Sequence, residues 1–358
     1  MEFHQGSVSN PASWESLASV HGTTFTHIVS GAAITPTRAD EEANAQEIMA
    51  VNLFGCIQAL EFARRCKSLH RFVFVSSDAV YEYPGLVRPL LDSEVAPSAM
   101  GLYCLSKFAG ENAVARWAEL YGLDACCVRF ADVYGRLDRN TGARNRHNAP
   151  YWVCEAAAAG RPVVVRGSLD DIGWDYIAAP DVANALAALL RSENPPKLPV
   201  YVIGIGRPVP HRELLEAVFA AAPPAGAGYN PSIETLVALG AVVQVDVHST
   251  ELPANDGGDV HLAALPTPHP LREESYDIAP LFGESHRPHS SIPHNVYQPI
   301  TGSTLIILFA CNATHCNDCG ADEFGWKPRP LAEAVSDYVE WLRAHPQVGA
   351  EKSHGAAL

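Results

Sequence analysis

Short apolar runs alternate with stretches of helical periodicity along the first half of the chain. Three of these runs are rich in β-forming residues and predict strands, at residues 25–30, 71–76 and 125–130. The run at 71–76 is apolar through its middle, as expected of a strand covered on both faces. Residues 43–66 and 102–121 carry apolar side chains at helical spacing, and Gly122 is a suitable C-cap. This alternation predicts an α/β fold with a parallel sheet.

The second half of the chain has a looser pattern. Helices are predicted at residues 182–190 and 211–221, and a strand at residues 200–203. Residues 223–228 form a linker rich in Pro, Gly and Ala. Residues 284–320 have no amphipathic period and are rich in His, Pro, Ser and Asn. Helical periodicity resumes from residue 328 to residue 342.

Composition excludes several classes of function. The formal net charge of −15 disfavours a nucleic-acid partner, because phosphate binding needs clustered Lys and Arg. No apolar run approaches the roughly 20 residues of a membrane-spanning helix, and no secretory signal is visible. Nine irregularly spaced cysteines are typical of reduced thiols. We therefore expect a cytoplasmic protein without membrane or nucleic-acid partners.

Candidate chemistry collects at the predicted carboxyl ends of the strands, where parallel α/β sheets place functional groups. Ser77 ends one strand, and Tyr103 and Lys107 lie four residues apart on the next helix, so they share one helical face. A neighbouring cation favours the phenolate and moves the Tyr pKa towards neutrality. These three residues can handle the proton while a cofactor handles a hydride. Alone, however, this Tyr and Lys spacing is common on helix surfaces.

The segments around these residues resemble the extended short-chain dehydrogenases, the NAD-dependent epimerase/dehydratase family. The resemblance is carried by seven segments. In chain order they are a strand and its turn (26–33), an Asn-x-x-Gly motif (Asn52 and Gly55), two strand-end segments (74–81 and 128–135), a segment leading to an Asp-Val helix (173–182), a late strand (201–204) and a closing motif (324–328). Their order and spacing are more specific than any single match.

The resemblance implies a Rossmann-like doubly wound parallel sheet with a smaller α/β substrate domain. Residues 1–165, with parts of 174–203, would form the NAD(P)-binding domain, and residues 166–345 mainly the substrate domain. Residues 346–358 would be a tail. The resemblance also implies NAD or NADP as cofactor, and a homodimer formed through the helices at 43–66 and 102–121.

By the same resemblance, Tyr103 is the general acid/base, Lys107 holds the cofactor ribose and lowers the Tyr pKa, and Ser77 positions the substrate. The other expected cofactor contacts are Ala32, Ala33, Asn52, Ser76 and Val133. The expected substrate contacts besides Ser77 are Asp132, Trp174 and Arg272, and a surface role for Arg272 is an equal alternative.

The sequence lacks one feature of the family, the Gly-x-x-Gly-x-x-Gly turn that receives the cofactor pyrophosphate. Residues 1–7 align instead with the third strand of the family, and Ser7 occupies the place of its usual Asp. We expect either a chain truncated by about two strands and their helices, or one that has lost cofactor affinity. Truncation is the favoured interpretation, and it would leave an uncovered sheet edge.

Residues 285–319 have the character of a disordered insertion. Without them, residues 279–284 would be followed directly by residues 320–326, and this joined sequence resembles the continuous sequence of the family. His315, Cys316 and Cys319 lie inside it, but a single Cys-x-x-Cys lacks the second ligand pair of a structural zinc site. No metal site is expected.

Two substitutions bear on the substrate. Trp174 stands where nucleotide-sugar enzymes carry Arg, and Asp132 stands where they carry Asn. An acidic residue suits hydroxyl groups and disfavours phosphate. The predicted function is therefore NAD(P)-linked oxidation or epimerisation of a sugar or sugar-derived alcohol, with free sugars and sugar acids competing with nucleotide sugars. The alternative is an inactive remnant of the family that binds a ligand or partner without turnover.

Overall fold

The computed structural model describes residues 2–81, 101–136, 138, 143–144, 147–166, 168–170, 175–245, 260–263 and 324–345. The helices are α1 (Pro11–His21), α2 (Arg38–Met49), α3 (Gly55–Ala63), α4 (Leu102–Tyr121), α5 (Ala149–Ala158), α6 (Ala179–Arg191), α7 (His211–Ala221), α8 (Ile233–Ala238) and α9 (Leu331–Ala344). The strands are β1 (His27–Ser30), β2 (Arg71–Ser77), β3 (Ala125–Phe130), β4 (Asp132–Tyr134), β5 (Val163–Arg166), β6 (Tyr176–Ala178), β7 (Val200–Ile203), β8 (Val242–Val245) and β9 (Val260–Ala263). The predictions for Trp174, Arg272, 285–319 and 346–358 lie outside the described residues.

The main sheet has four parallel strands in the order β1-β2-β3-β7. This confirms the predicted parallel α/β architecture. Within the described ranges β1 pairs only with β2 and is an edge strand of the sheet.

Strand β2 shows why a parallel strand with helices packed on both faces has a continuous apolar sequence. Phe72 and Phe74 belong to a core cluster that includes side chains of α3 and α4. Val73 belongs to a different cluster, which includes side chains of α6. Because successive side chains of a strand point to opposite faces, both faces of β2 are buried and both need apolar residues.

The helix predicted over residues 43–66 differs from the observed one at both ends and in its middle. Helix α2 begins earlier, since Thr37 and Asp40 form a reciprocal capping box at its amino terminus. A π-helical turn at Ala50–Phe54 then connects it to α3, which ends at Ala63. The π turn contains the buried Asn52.

Two smaller parallel sheets follow, one of β4 and β6 and one in the order β8-β5-β9. Side chains of β5 and β8 share a core cluster with α5, α7 and α9. The division of the chain into two domains at the predicted boundaries stays a prediction. Residues 2–7 form no strand, contrary to the alignment with a third family strand, and Phe3 in this segment is exposed instead of packed in a sheet.

Candidate active site

The structure brings Ser77, Tyr103 and Lys107 together at the carboxyl edge of the main sheet. Ser77 is the last residue of β2, and its side chain is hydrogen-bonded to the Tyr103 phenol. The Lys107 Nζ atom lies 5.6 Å from the centroid of the Tyr103 ring. The convergence expected from their positions at a strand end and on one helical face is therefore observed.

Helix α4 carries two of the three residues, and a neighbouring helix caps it. Its N-cap residue, Gly101, offers no side-chain cap. Glu41 of α2 supplies the missing acceptor, since its Oε1 atom accepts a hydrogen bond of 2.7 Å from the backbone N–H of Leu102. A carboxylate at a helix amino terminus also interacts favourably with the helix dipole. The start of α4, one residue before Tyr103, is thus held from outside the helix.

The Lys107 ammonium is buried and oriented by the strand that carries Ser77. Its Nζ atom donates a hydrogen bond of 2.7 Å to the Val75 carbonyl and lies 5.1 Å from the centroid of the Phe74 ring. Burial lowers the pKa of Lys107 to about 8, although the neighbouring Cys56 and Glu111 favour its charged form. Lys107 can therefore change protonation state near physiological pH.

Tyr103 is half-buried, and desolvation of its phenol raises its pKa to about 12. The hydrogen bond with Ser77 and the charge of Arg144 act in the opposite direction, whereas Asp78 adds to the increase. The pKa of Tyr103 thus moves opposite to the direction predicted from its spacing to Lys107. Desolvation disfavours the phenolate more strongly than nearby cations favour it.

Asn52 connects the turn after β1 to helix α4. Its Oδ1 atom accepts a hydrogen bond of 2.7 Å from the Ile34 N–H, and its Nδ2 atom donates one of 2.9 Å to the Ile34 carbonyl. The same Nδ2 atom donates to Ser106 Oγ at 3.2 Å, and Ser106 Oγ donates to the Tyr103 carbonyl at 2.8 Å. Asn52 therefore acts on the predicted cofactor turn by holding its backbone.

The other predicted cofactor contacts lie around the same edge. Ala32 is exposed and Ala33 half-buried in the turn after β1. The Ser76 hydroxyl donates to Glu111 Oε1 at 2.5 Å and is buried. The Val133 carbonyl accepts a hydrogen bond of 2.6 Å from Asn148 Nδ2. Ser76 and Val133 thus have protein partners, and their roles towards a cofactor stay predictions.

Asp132 is associated with a second acidic residue, Asp175. The Asp132 N–H donates a hydrogen bond of 3.0 Å to the Asp175 carbonyl. The Asp175 carboxylate accepts hydrogen bonds of 2.7 and 2.8 Å from the N–H groups of Ile205 and Gly206. Burial raises the pKa of Asp175 to about 7, and the charge of Asp132 adds to this increase against the two hydrogen bonds. The Asp175 carboxyl therefore exchanges its proton near neutral pH.

Sequence reasoning missed Arg144, which interacts electrostatically with both Tyr103 and Asp132. Asp138 holds it, because the Arg144 Nε atom donates to Asp138 Oδ1 at 2.7 Å. His147 Nδ1 lies 3.1 Å from the same oxygen. The only sequence signal at Arg144 is its position shortly after the segment 128–135, since Tyr103 lies far from it in the chain, on α4.

Residue Arg144 also pairs with the predicted cofactor turn. Thr35 forms a parallel bridge with Arg144, and the Thr35 N–H donates a hydrogen bond of 2.8 Å to the Ala143 carbonyl. A cleft of about 200 Å³ opens beside this contact. It is lined by Ile34, Asp40, Asn44, Glu47, Ile48 and Ala143.

These residues fit the nicotinamide and ribose half of a dinucleotide. Ala32 and Ala33 leave the turn after β1 accessible, and Lys107 provides a cation beside Tyr103. No helix of the described ranges is preceded by a Gly-rich phosphate-binding turn. In the same ranges, no cluster of three or more His, Cys, Asp and Glu side chains could hold a metal ion, and no helix is long and apolar enough to cross a membrane.

Fold and site together define a Rossmann-like protein in which Ser77, Tyr103 and Lys107 meet at the carboxyl edge of the parallel sheet. The model of the NAD dependent epimerase/dehydratase family matches residues 1–204, more than half of the 358 residues. The chain belongs to this family. The match confirms the predicted family, and the family description agrees with the predicted nicotinamide cofactor, naming NAD.

Individual proteins show the same likeness. The chain is 26% identical over 204 residues to UDP-glucuronate 4-epimerase 4 of Arabidopsis thaliana, a match that covers 53% of this chain and 45% of that protein. The chain therefore spans about half the length of this curated relative.

Solved structures of two UDP-glucose 4-epimerases show the same fold. The enzyme from Thermotoga maritima, solved with UDP-glucose, has a TM-score of 0.59 at 18% identity, covering 96% of this chain and 84% of its own. The enzyme from Thermus thermophilus, solved with NAD, has a TM-score of 0.59 at 21% identity, covering 96% and 86%.

Proposed function

We propose that this protein catalyses NAD-linked oxidation or epimerisation of a sugar-type alcohol, with Tyr103 as the acid/base. The observation that carries the proposal is the cluster at the end of β2, where Ser77 is hydrogen-bonded to Tyr103 and Lys107 Nζ lies 5.6 Å from the Tyr103 ring. Family membership supports the same reaction class.

In the proposed reaction Ser77 and Tyr103 bind the substrate carbinol. Ser77 Oγ orients the hydroxyl, and Tyr103 takes its proton as the carbinol carbon is oxidised, then returns it when the carbonyl is reduced. Bound NAD supplies the acceptor for the hydride. Because Tyr103 has a raised pKa, its phenolate requires stabilisation by cations. Among the described residues, Arg144 supplies part of this stabilisation, and Lys107 adds a second positive charge beside the ring.

We propose that the substrate is a nucleotide sugar, the class of substrate named in the relatives. A free sugar or a sugar acid is the competing class. The relatives supply UDP-glucuronate and UDP-glucose as first probes. Asp132 favours hydroxyl groups over phosphate, whereas Arg144 favours an anionic group. Free glucuronate therefore belongs in the same screen.

The test compares wild type with Tyr103→Phe, using NAD and each probe. We expect turnover in the wild type and a loss of about a hundredfold or more in Tyr103→Phe, since the proton acceptor is removed. Tyr121→Phe is a matched control, because Tyr121 is an exposed residue at the end of the same helix. Accumulation of reduced cofactor identifies a dehydrogenase, whereas a new sugar epimer without it identifies an epimerase. Wild-type turnover that survives Tyr103→Phe would rule out this role.

A non-catalytic binding protein is the second candidate, because the sequence has no Gly-rich turn for the pyrophosphate. Calorimetric titration with NAD distinguishes the two. Binding in the micromolar range supports the enzyme, and no binding together with no turnover supports the second candidate.

We also propose that the chain forms a homodimer through the helical segment at residues 43–66 and helix α4. Phe54, at the junction with α3, is 55% exposed, and Leu105 on α4 is 41% exposed. Exposed apolar side chains on neighbouring helices suit an isologous contact. Sedimentation of wild type and Phe54→Glu tests this, with a dimer expected only for the wild type.

A further inference from the structure

Glu111 and Arg129 form a buried ion pair that contacts the chain on both sides of Ser77, and the proposed reaction does not use this pair. Glu111 is on α4, one helical turn after Lys107, and Arg129 is on β3. Their side chains are 2% and 0% exposed. The Arg129 Nε and Nη2 atoms donate hydrogen bonds of 2.7 and 2.5 Å to the two carboxylate oxygens of Glu111. This two-point geometry is the most directional that an ion pair can form.

The pair is attached to the chain on both sides of Ser77. Before it, the Ser76 hydroxyl donates a hydrogen bond of 2.5 Å to Glu111 Oε1. After it, Tyr81 ends the short 3-10 turn that follows β2, and the Arg129 guanidinium donates to the Tyr81 hydroxyl. The Arg129 Cζ atom also lies 4.8 Å from the centroid of the Tyr81 ring. The segment that presents Ser77 is therefore anchored at both ends to one ion pair.

Glu111 also acts on Lys107. Three titratable groups from three packed elements favour the charged form of Lys107, namely Cys56 of α3, Glu111 of α4 and Cys127 of β3. Burial raises the pKa of Cys56 to about 12 and raises that of Cys127 as well, so both thiols are neutral at physiological pH. Among these three groups, Glu111 is then the anion that opposes the burial of the Lys107 charge.

We infer that Glu111 and Arg129 are positioning residues that hold Ser77 in register with Tyr103, and that the Glu111 carboxylate also keeps Lys107 a cation. A buried ion pair is weak evidence for stability, because well-packed apolar residues are often as stable in its place. Its attachments to Ser76, Tyr81 and Lys107 all converge on the candidate active site. The inference rests on the proposed function, but its electrostatic part can be measured without turnover.

The experiment uses the full chain and a set of variants that differ in which link they remove. Ser76→Ala and Tyr81→Phe each delete one anchor without leaving an unpaired charge. The double variant Glu111→Gln, Arg129→Gln deletes both charges together, so neither is buried alone. Glu119→Gln is the matched control, since Glu119 lies on the same helix in an exposed pair with Arg116.

The first readout is the Lys107 pKa, followed by NMR of labelled lysine side chains with Lys107→Met for assignment. We expect the double variant to lower the Lys107 pKa by about one unit, and Glu119→Gln to leave it unchanged. An unchanged Lys107 pKa in a folded double variant would overturn the electrostatic part of the inference.

The second readout is kcat and KM, with NAD and UDP-glucuronate as probes. We expect Ser76→Ala and Tyr81→Phe to lower kcat by about tenfold with a smaller change in KM, because misplacing Ser77 affects the chemical step more than binding. Wild-type kcat in both variants would overturn the positioning part. If the wild type itself shows no turnover, the proposed function fails, whereas the NMR titration still decides the role of Glu111.

Discussion

Gly110 of α4 lies so close to the Phe74 ring of β2 that position 110 has no room for a side chain. A Cβ atom at residue 110 would come within 2.6 Å of Phe74 Cζ. Helix α4 carries Tyr103 and Lys107, and β2 carries Ser77, so this contact determines how closely the two halves of the candidate site approach each other.

Replacing Gly110 with Ala tests the importance of this close approach. We expect a loss of about 1–3 kcal/mol in the free energy of unfolding, measured with urea, because overpacking forces the helix and strand apart. We also expect lower kcat, since Tyr103 would move relative to Ser77. Adding Phe74→Leu should recover part of the stability by making room for the new methyl group. Wild-type stability in Gly110→Ala would contradict the close packing.

Removing the Asn52 side chain should loosen the turn after β1. Asn52→Ala leaves the N–H and carbonyl of Ile34 without their partner, which we expect to cost about 1–3 kcal/mol in unfolding free energy. Because this turn is the predicted cofactor contact, NAD affinity measured by calorimetry should fall as well. Gln46→Ala on the exposed part of α2 is the control and should change neither quantity. An unchanged NAD affinity in Asn52→Ala would show that Asn52 does not contribute to cofactor binding.

The affinity for NAD should decrease as the pH rises through about 8, the pKa to which burial lowers Lys107. Above this pH the ammonium is lost, and with it the predicted contact with the cofactor ribose. Calorimetric titrations about one pH unit below and above this value would detect the change. In Lys107→Met the same dependence should be absent. If wild type and Lys107→Met show the same pH dependence, another group is responsible.

Stability should also depend on the protonation of Asp175, whose pKa is raised from 3.8 to about 7 by burial. Between these two values the folded protein binds more protons at this site than the unfolded chain does. The contribution of Asp175 to stability is therefore largest below 3.8 and is lost as the pH rises through about 7. We expect the wild type to lose on the order of 4 kcal/mol across this interval relative to Asp175→Asn. Equal pH profiles for the two proteins would contradict a raised pKa.

Several elements were predictable because local pattern determines them. Strands β3 and β7 and helices α4 and α7 occupy the residues that periodicity predicts. At the end of α4, Gly122 adopts the left-handed conformation with a φ of 67°, as a glycine C-cap requires. The π turn at Ala50–Phe54 has no such signal, because the apolar spacing of a π turn and of an α-helix is similar over five residues.

The sequence by itself determined the family, the alternation of strands and helices, and the placement of Tyr103 and Lys107 on one helical face. These properties depend on spacing along the chain. Only the tertiary structure decided that the Tyr103 pKa rises, that Arg144 acts on Tyr103, and that Glu111 pairs with Arg129 behind Ser77. Desolvation and charge interactions depend on distances in space, so residues far apart in the chain decide them, and sequence spacing alone cannot reveal them.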